Sequence, residues 1–323
     1  MSIKKFIFIP LSLVLILLMV LLTKETPEEK RLRESKEFVA KYGEVYTAED
    51  GTLISVYPYH GEDSFKKNLD AVTSFEKDCP LDVFVAIPPR KMDALISLLP
   101  ESFKSEPAEH LFGIAEKSTS NFIDLLTPLR EKGEFYFKTD HHWTSDGAYR
   151  AYFEIVTAMG VTPFPESYFE IELFTESYRG SDHGKKNVTY YDSIFLYYSP
   201  RYTDFEVTVV SYPYDSEENN TVYPEMYLTE RRDSIDPYTV YFGGNNPYIT
   251  VRDGSKRATL LVIRDSFASA LAPFLAEHFD LVLIDPRFYP ERLRRAIEHE
   301  EVDSVLIVEN MGSFTEHEIN FSY

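Results

Sequence analysis

The chain has 323 residues, a formal net charge of −20 and a sequence pI of about 4.8. A protein that binds nucleic acid needs a basic surface against the phosphate backbone, so this charge argues against a nucleic-acid partner. The length allows a large core and one or two domains. The only cysteine, Cys79, cannot form a disulfide within the chain, and we interpret it as a buried small hydrophobic residue.

The first 23 residues have the pattern of a membrane-targeting segment. Two lysines precede an almost uninterrupted apolar run over 6–22, which at about 1.5 Å per residue barely spans the hydrocarbon layer. No good cleavage site follows the run, and the lysines on its N-terminal side place that end in the cytoplasm. We therefore predict a signal anchor over 1–23, with the bulk of the chain outside the cytoplasm. The alternative is a signal peptide that is cleaved to release a secreted protein.

Charged residues dominate positions 24–40, where acids and bases lie three to four positions apart. This spacing favours a helical stalk, to which we assign only a spacing role. The globular domain is predicted to cover 41–323. Its first part has patterns typical of edge strands at 44–56, helices at 64–75, 91–99 and 122–132, and strands at 81–87 and 133–138.

Helical periodicity fades between about residue 164 and residue 250. Short alternating runs separated by polar turns replace it, and they predict an antiparallel β-rich insertion. One expectation is that the insertion forms a lid or a substrate groove. The alternative is that it is a subdomain without a functional role. Its predicted strands are at 169–174, 188–198, 205–212 and 238–242.

Alternating strands and helices return after the insertion. Apolar runs at 258–263, 280–284 and 304–308 predict buried strands, and helical patterns at 268–277 and 291–298 separate them. This βαβαβ order implies a parallel sheet with right-handed crossovers. The sequence therefore predicts an α/β fold.

An acid and two imidazoles lie together between the predicted strand at 133–138 and the helix that follows. Asp140 and His142 are two positions apart, so in extended backbone their side chains point the same way. An aspartate beside a histidine can fix the tautomer of the ring and favour the imidazolium. The alternative is that Asp140 and Thr144 cap the helix and that the histidines have a structural role.

Ser266 follows the buried strand at 258–263 and precedes a helix. A serine in this position is well placed to be a nucleophile, and the free backbone amides at the helix start can hold an oxyanion. The surrounding residues do not have the Gly-x-Ser-x-Gly pattern of α/β-hydrolases. The alternative role for Ser266 is that of a helix N-cap.

Together these segments resemble a known bacterial family. The stretch Asp140-His141-His142-Trp143, followed far along the chain by Asp265-Ser266, looks like the family named for its DHHW motif. That family is similar to the SGNH-like O-acetyltransferases of alginate and cell-wall polysaccharides. The resemblance covers roughly residue 45 to the C-terminus. It implies an SGNH-hydrolase-like three-layer α/β/α sandwich with a mainly parallel sheet.

The resemblance also implies roles for individual residues. Ser266 would be the nucleophile, His142 the general base and Asp140 the partner that orients it. Gly180-Ser181 resembles the family's Gly-Ser segment, so Ser181 is expected to line the pocket, and Trp143 belongs to the motif itself. Asn246 and Arg287 are further candidates because an amide and a guanidinium suit an oxyanion or a substrate carboxylate. A turn asparagine and a surface ion pair are the alternatives for these two.

These residues favour acyl transfer outside the cytoplasm, as an O-acetyltransferase or acetylesterase acting on a cell-surface or exported polysaccharide. The expected partners are an acetyl donor, a glycan acceptor, the membrane and a membrane protein that hands over the acyl group. One alternative is a non-catalytic glycan-binding or assembly protein. The other is a metal site built from Asp140, His141, His142 and His183. The side chains of adjacent histidines on a strand point in opposite directions, which makes this site less favourable. We expect neither a metal nor a cofactor.

Overall fold

The computed structural model describes residues 25–56, 62–103, 108–130, 132–210 and 220–323. The strands found in these ranges are β1 (Val45–Thr47), β2 (Leu53–Ser55), β3 (Asp82–Ala86), β4 (Phe122–Ile123), β5 (Glu170–Tyr178), β6 (Asp192–Tyr198), β7 (Glu206–Val209), β8 (Thr221–Tyr223), β9 (Tyr248–Arg252), β10 (Thr259–Arg264), β11 (Asp280–Ile284) and β12 (Ser304–Val308). The α-helices are α1 (Pro27–Tyr42), α2 (Asp63–Asp78), α3 (Lys91–Ala94), α4 (Ala108–Ser118), α5 (Leu126–Leu129), α6 (Ser145–Ala158), α7 (His183–Lys186), α8 (Phe267–Leu275), α9 (Leu293–His299) and α10 (Met311–Glu316).

The largest sheet in the described part of the chain has eight strands in the order β4-β3-β12-β10-β11-β9-β7-β8. The first five strands in this order run parallel, and β9, β7 and β8 continue the sheet in antiparallel pairing. The central strand β10 pairs with β11 on one side and β12 on the other, so that Leu261 lies opposite Val282 and Val305. The predicted parallel sheet is therefore confirmed, with its C-terminal strand ends at one edge.

Both faces of the sheet are covered by helices. Leu260 and Val262 of β10 belong to a core cluster that contains residues of α6 and α8. Leu261 and Ile263, which point the other way, belong to a second cluster with residues of α2, α4, α9 and α10. The sequence of a strand that is buried on both faces is a continuous apolar run, and this is why the sequence predicts β10. The layers are helix, sheet and helix.

The N-terminal helix α1 packs on the rest of the protein. Thr26 and Glu29 form a capping box at its start. Near its end Phe38 is 4% exposed, and its ring centroid lies 4.5 Å from that of Phe103. The predicted helix over 24–40 is therefore present within the described residues. The boundaries assigned to the stalk, the globular domain and the insertion remain predictions.

Local structure differs from the sequence prediction in three places. The predicted helix at 122–132 is instead the short strand β4 followed by α5, because the Asp124 carboxylate accepts a hydrogen bond from the Leu126 backbone N–H at 2.8 Å and starts a new turn. The predicted strand at 133–138 begins as a 3₁₀ turn, Gly133–Phe135. The predicted strand at 238–242 is a 3₁₀ helix, Pro237–Val240, because Asp236 caps it and Pro237 opens it.

The β-rich insertion divides between two sheets. β5 and β6 pair only with each other within the described ranges, whereas β7, β8 and β9 extend the main sheet. The predicted strand at 205–212 is represented by β7, and residues 211–212 lie outside the described residues. Cys79 is buried, as predicted.

The structure contradicts the predicted membrane-anchored localisation. Among the residues described between 25 and 323, no helix is both long enough and apolar enough to cross a bilayer. Residues 1–23, to which the sequence assigned the anchor, lie outside the described residues.

Candidate active site

The segment after β10 and the loop before α6 meet at the C-terminal edge of the parallel strands. His142 Nε2 lies 2.7 Å from Ser266 Oγ, and His142 Nδ1 lies 2.5 Å from Asp140 Oδ1. His142 and Asp140 are 7% and 2% exposed, while Ser266 is half-buried. The three residues that the family resemblance singled out thus form a continuous hydrogen-bonded set across 124 positions of sequence.

The Asp140 carboxylate is held as an anion. Its Oδ1 accepts from the His142 backbone N–H at 2.8 Å as well as from the ring, and its Oδ2 accepts from the Ser181 backbone N–H at 2.7 Å. Burial raises the pKa of Asp140, but the His142 and His141 imidazoles and these hydrogen bonds outweigh it and keep the pKa well below the ordinary value. An anion at this position keeps a proton on His142 Nδ1, which leaves Nε2 free to accept from Ser266.

Gly180 brings the Ser181 segment against Asp140. A Cβ at Gly180 would lie 2.3 Å from Asp140 Cβ and 2.4 Å from the Thr139 carbonyl oxygen, so only glycine fits. Ser181 was predicted to line the pocket. The structure places its N–H on Asp140 and its hydroxyl 2.8 Å from His141 Nδ1, so Ser181 supports the motif loop directly.

Trp143 was predicted as a substrate or oxyanion contact, and the structure assigns it a different place. Its side chain is fully buried, and its indole N–H donates to the Phe267 carbonyl oxygen at 3.0 Å. Because Phe267 follows Ser266, this bond ties the loop that carries His142 to the helix that carries the serine. Trp143 therefore fixes the relative position of the two halves of the site.

Ser266 occupies the N-cap position of α8. The preceding Asp265 organises this turn, because its carboxylate accepts from the Phe267 N–H at 2.9 Å, the Asn310 N–H at 2.8 Å and the Ser313 hydroxyl at 2.9 Å. No acceptor for the Ser266 N–H is found within the described ranges. This amide, at the positive end of a helix, is the best placed donor for an oxyanion.

Asn246 and Arg287 were predicted to contact an oxyanion or a substrate carboxylate, but both side chains bond to nearby residues of the protein. The Asn246 side-chain amide donates to the Phe242 carbonyl oxygen at 2.8 Å, closing a turn. The Arg287 guanidinium pairs with the buried Asp285 at 2.6 Å and 2.8 Å. Each side chain is hydrogen-bonded to a residue two to four positions away in sequence. The turn and ion-pair alternatives describe them better.

Two buried ionisable residues, Arg264 and Glu309, lie at the C-terminal ends of β10 and β12. Arg264 is fully buried and donates to the Ser269 hydroxyl at 3.1 Å. Glu309 is 1% exposed, and neither of its carboxylate oxygens has a hydrogen-bond partner among the described residues. Burial, together with Asp265 and Asp285, raises the pKa of Glu309 well above its ordinary value, against the opposing effect of Arg287 and Arg264. The surroundings of Glu309 therefore favour its protonated form more strongly than that of an exposed glutamate.

Replacing Glu309 with glutamine is expected to stabilise the protein at neutral pH by about 1–3 kcal/mol. Glu309 has a raised pKa in the folded state, so the folded state retains a proton that the unfolded state loses above pH 4.5. Stability should therefore fall as pH rises from 4.5 through the folded-state pKa, and Glu309→Gln should remove this fall. Thermal unfolding of both proteins between pH 4 and pH 8 measures it, with exposed Glu316→Gln as the control. Equal pH dependence of the two variants would contradict the expectation.

Three of the residues proposed for the alternative metal site lie close together. One ligand atom from each of Asp140, His141 and His142 lies within 4.8 Å of the others, which is compatible with a metal. However, both ring nitrogens of His142 face hydrogen-bond partners, and His141 Nδ1 faces Ser181. His183, the fourth predicted ligand, stacks on Tyr191 at 5.3 Å. The hydrogen-bonded arrangement favours proton transfer between these groups.

The sequence matches the model of DHHW proteins over residues 118–285, which is more than half of the chain. The chain belongs to the DHHW family. The matched segment contains Asp140, His142 and Ser266, the residues that form the hydrogen-bonded set. Among curated proteins, none matches this DHHW protein.

Solved structures resemble the DHHW protein over most of its length. A DHHW family protein from Eubacterium siraeum DSM 15702 is 18% identical, with a TM-score of 0.69 over 83% of this chain and 90% of its own. Bacillus cereus PatB1 with a sulfonyl adduct is 21% identical, with a TM-score of 0.72 over 86% and 98% of the chains. The O-acetyltransferase domain of Pseudomonas putida AlgJ is 15% identical, with a TM-score of 0.51 over 84% and 92%. These similarities confirm the predicted SGNH-like α/β/α fold.

Two site residues of the DHHW protein were not predicted from its sequence. Lys91 is 3% exposed, and its ammonium donates to the carbonyl oxygens of Asp140 at 3.0 Å and Lys138 at 3.1 Å. Tyr238 stacks on the His142 ring. The Pro88-Pro89 pair that ends the β3 segment could have drawn attention to Lys91, because a strand-ending turn at this edge of a parallel sheet lies next to the site. No local pattern marks Tyr238.

Proposed function

We propose that this DHHW protein is an acyl-transfer enzyme in which Ser266 is the nucleophile, His142 the general acid and base, and Asp140 the residue that orients His142. The observation that carries the proposal is the pair of hydrogen bonds at 2.5 Å and 2.7 Å that joins the carboxylate, the imidazole and the hydroxyl. Distances in this range allow direct proton transfer from the serine to the ring.

The geometry supports a two-step reaction. Ser266 Oγ attacks the carbonyl carbon of an ester while His142 Nε2 takes its proton, and the Ser266 N–H stabilises the negative oxygen of the tetrahedral intermediate. The imidazolium then gives the proton to the leaving alcohol, and the acyl group remains on the serine. In the second step His142 removes a proton from an acceptor hydroxyl, whose oxygen attacks the acyl-serine. The imidazolium then returns the proton to Ser266 Oγ as the acyl–serine bond breaks, which regenerates the free enzyme.

The proposed substrates are an O-acetyl donor and a hydroxyl of a glycan or polysaccharide, with water as the acceptor if the enzyme is an esterase. The motif resemblance supports this assignment, as does the structural similarity to a domain of AlgJ that is described as an O-acetyltransferase. A partner protein that delivers the acyl group is part of the same proposal.

Ser266→Ala is expected to lower hydrolysis of p-nitrophenyl acetate by roughly 10³-fold or more, because the acyl-enzyme cannot form. The purified protein is assayed for nitrophenol release, and for acetylated product when saccharides are added. Ser255→Ala, which changes an exposed serine in the turn before β10, should keep full activity. Unchanged turnover in Ser266→Ala would contradict the proposal. Saccharide binding without ester turnover in the unsubstituted protein would identify a non-catalytic glycan-binding protein instead.

A further inference from the structure

The imidazole of His142 packs against other aromatic rings. The Tyr238 ring is nearly parallel to it, with centroids 4.4 Å apart and an interplanar angle of 16°. The His141 ring centroid lies 3.9 Å from that of His142 at an angle of 35°. A third ring, that of Phe267, lies 5.0 Å from the His142 ring and is tilted by 49°. His142 is thus packed among aromatic rings and hydrogen-bonded through both of its nitrogens.

Tyr238 is itself fixed by its surroundings. Its backbone N–H donates to the Asp236 carboxylate at 3.1 Å, which anchors the 3₁₀ helix Pro237–Val240. Its ring is 7% exposed, lies edge-on to Tyr241 at 5.2 Å and stacks on Tyr178 at 6.3 Å. Its hydroxyl lies 3.5 Å from the Ser266 carbonyl oxygen. The ring therefore cannot move away from His142 without disturbing several contacts.

We infer that Tyr238 is a positioning residue that holds the general base in line with Ser266 and stabilises its imidazolium form through the face of the phenol ring. This inference rests on the proposed function. When His142 takes the proton of Ser266, a positive charge develops on a ring whose face lies against Tyr238. The negative face of an aromatic ring attracts a cation, and the attraction is stronger where water is excluded.

The groups around His142 decide where the proton resides. Desolvation and the nearby His142 lower the pKa of His141 to about 4, against the opposing effect of Asp140 and Asp182, so His141 binds a proton less readily than a free imidazole does. Burial raises the pKa of Tyr238 well above its ordinary value, so the phenol cannot act as the base. The anions that face this pair of rings are Asp140 from the motif loop, Asp236 from the 3₁₀ helix and Asp265 from the end of β10.

The test compares variants at position 238 that separate the ring from its hydroxyl. Tyr238→Phe keeps the ring face, Tyr238→Leu removes it, and pentafluorophenylalanine at this position keeps the shape but reverses the charge of the face. In each protein, the pH profile of p-nitrophenyl acetate hydrolysis is measured together with the NMR titration of the His142 ring. Thermal unfolding checks that each variant folds. If Tyr238→Leu does not fold, the pentafluorophenylalanine protein still tests the inference, because its ring keeps the shape of the side chain.

Tyr238→Phe should retain turnover within about threefold and leave the titration unchanged. The fluorinated ring and Tyr238→Leu should lower kcat roughly tenfold and shift the midpoint of the His142 titration down by about half a pH unit to one unit. Equal turnover and equal midpoints in the phenylalanine and pentafluorophenylalanine proteins would overturn the inference. The NMR titration needs no turnover, so a shift in an inactive protein would uphold the contact while the proposed function fails.

Discussion

Replacing Asp140 with asparagine is expected to lower kcat for ester hydrolysis by about 10⁴-fold while the fold is retained. The carboxylate accepts the Nδ1 proton of His142 at 2.5 Å. An asparagine can instead present its NH₂ group to Nδ1, which would leave the proton on Nε2, where the serine hydroxyl needs an acceptor. The expected loss is therefore in kcat and not in substrate binding. Steady-state and burst kinetics with p-nitrophenyl acetate measure it.

The matched control is Asp146→Asn, which changes the other acid of the motif stretch. Asp146 is exposed and accepts from the Tyr197 hydroxyl at 2.6 Å, a bond that asparagine can keep. This variant should have near-normal turnover. Asp140→Asn with activity within tenfold of the unsubstituted protein would show that the carboxylate does not set the tautomer of the base.

Gly180→Ala is expected to have the second largest effect, with a loss of at least 1–3 kcal/mol in unfolding free energy and roughly 10²-fold in ester turnover. The added Cβ would lie 2.3 Å from Asp140 Cβ and 2.4 Å from the Thr139 carbonyl oxygen, so the motif loop must shift. That shift would move the carboxylate away from His142. Chemical denaturation and the same ester assay measure the two effects.

Gly184→Ala is the control for this prediction. A Cβ at Gly184 meets nothing within 4 Å, and the residue is exposed four positions away on the same segment. It should leave stability and turnover nearly unchanged. Normal activity in Gly180→Ala would mean that the contact between the Ser181 segment and Asp140 is not needed to hold the acid in place.

The parts of the fold that sequence predicted well are those whose burial is fixed locally. Strands β3, β10, β11 and β12 are apolar on both faces. A continuous apolar run predicts a buried strand regardless of which elements pack against it. The segment at 133–138 was wrongly predicted as a full strand because its geometry depends on closure against α6. The Thr144 N–H donates to the Phe135 carbonyl oxygen at 2.9 Å, and a Cβ at Gly147 would meet that oxygen at 2.3 Å.

The candidate site was predicted to a similar extent and for a similar reason. Asp140 and His142 carry a local signal, since an aspartate two positions before a histidine can accept from both its backbone N–H and its ring. The meeting of His142 with Ser266 came only from the family resemblance, because nothing in either segment encodes the other. Tyr238 and Lys91 were missed because their roles arise from contacts across the fold, 96 and 51 positions from His142 in sequence. Arg287 was placed at the right edge but is bound by Asp285.

The most direct test of the account is covalent labelling of the serine. The purified protein is treated with phenylmethylsulfonyl fluoride, and its peptides are analysed by mass spectrometry alongside those of Ser266→Ala and His142→Ala. We expect one sulfonyl adduct on the peptide that contains Ser266, no adduct in Ser266→Ala, and labelling at least tenfold slower in His142→Ala. Labelling at another residue, or at Ser266 with the same rate when His142 is absent, would contradict an imidazole-activated nucleophile in this protein.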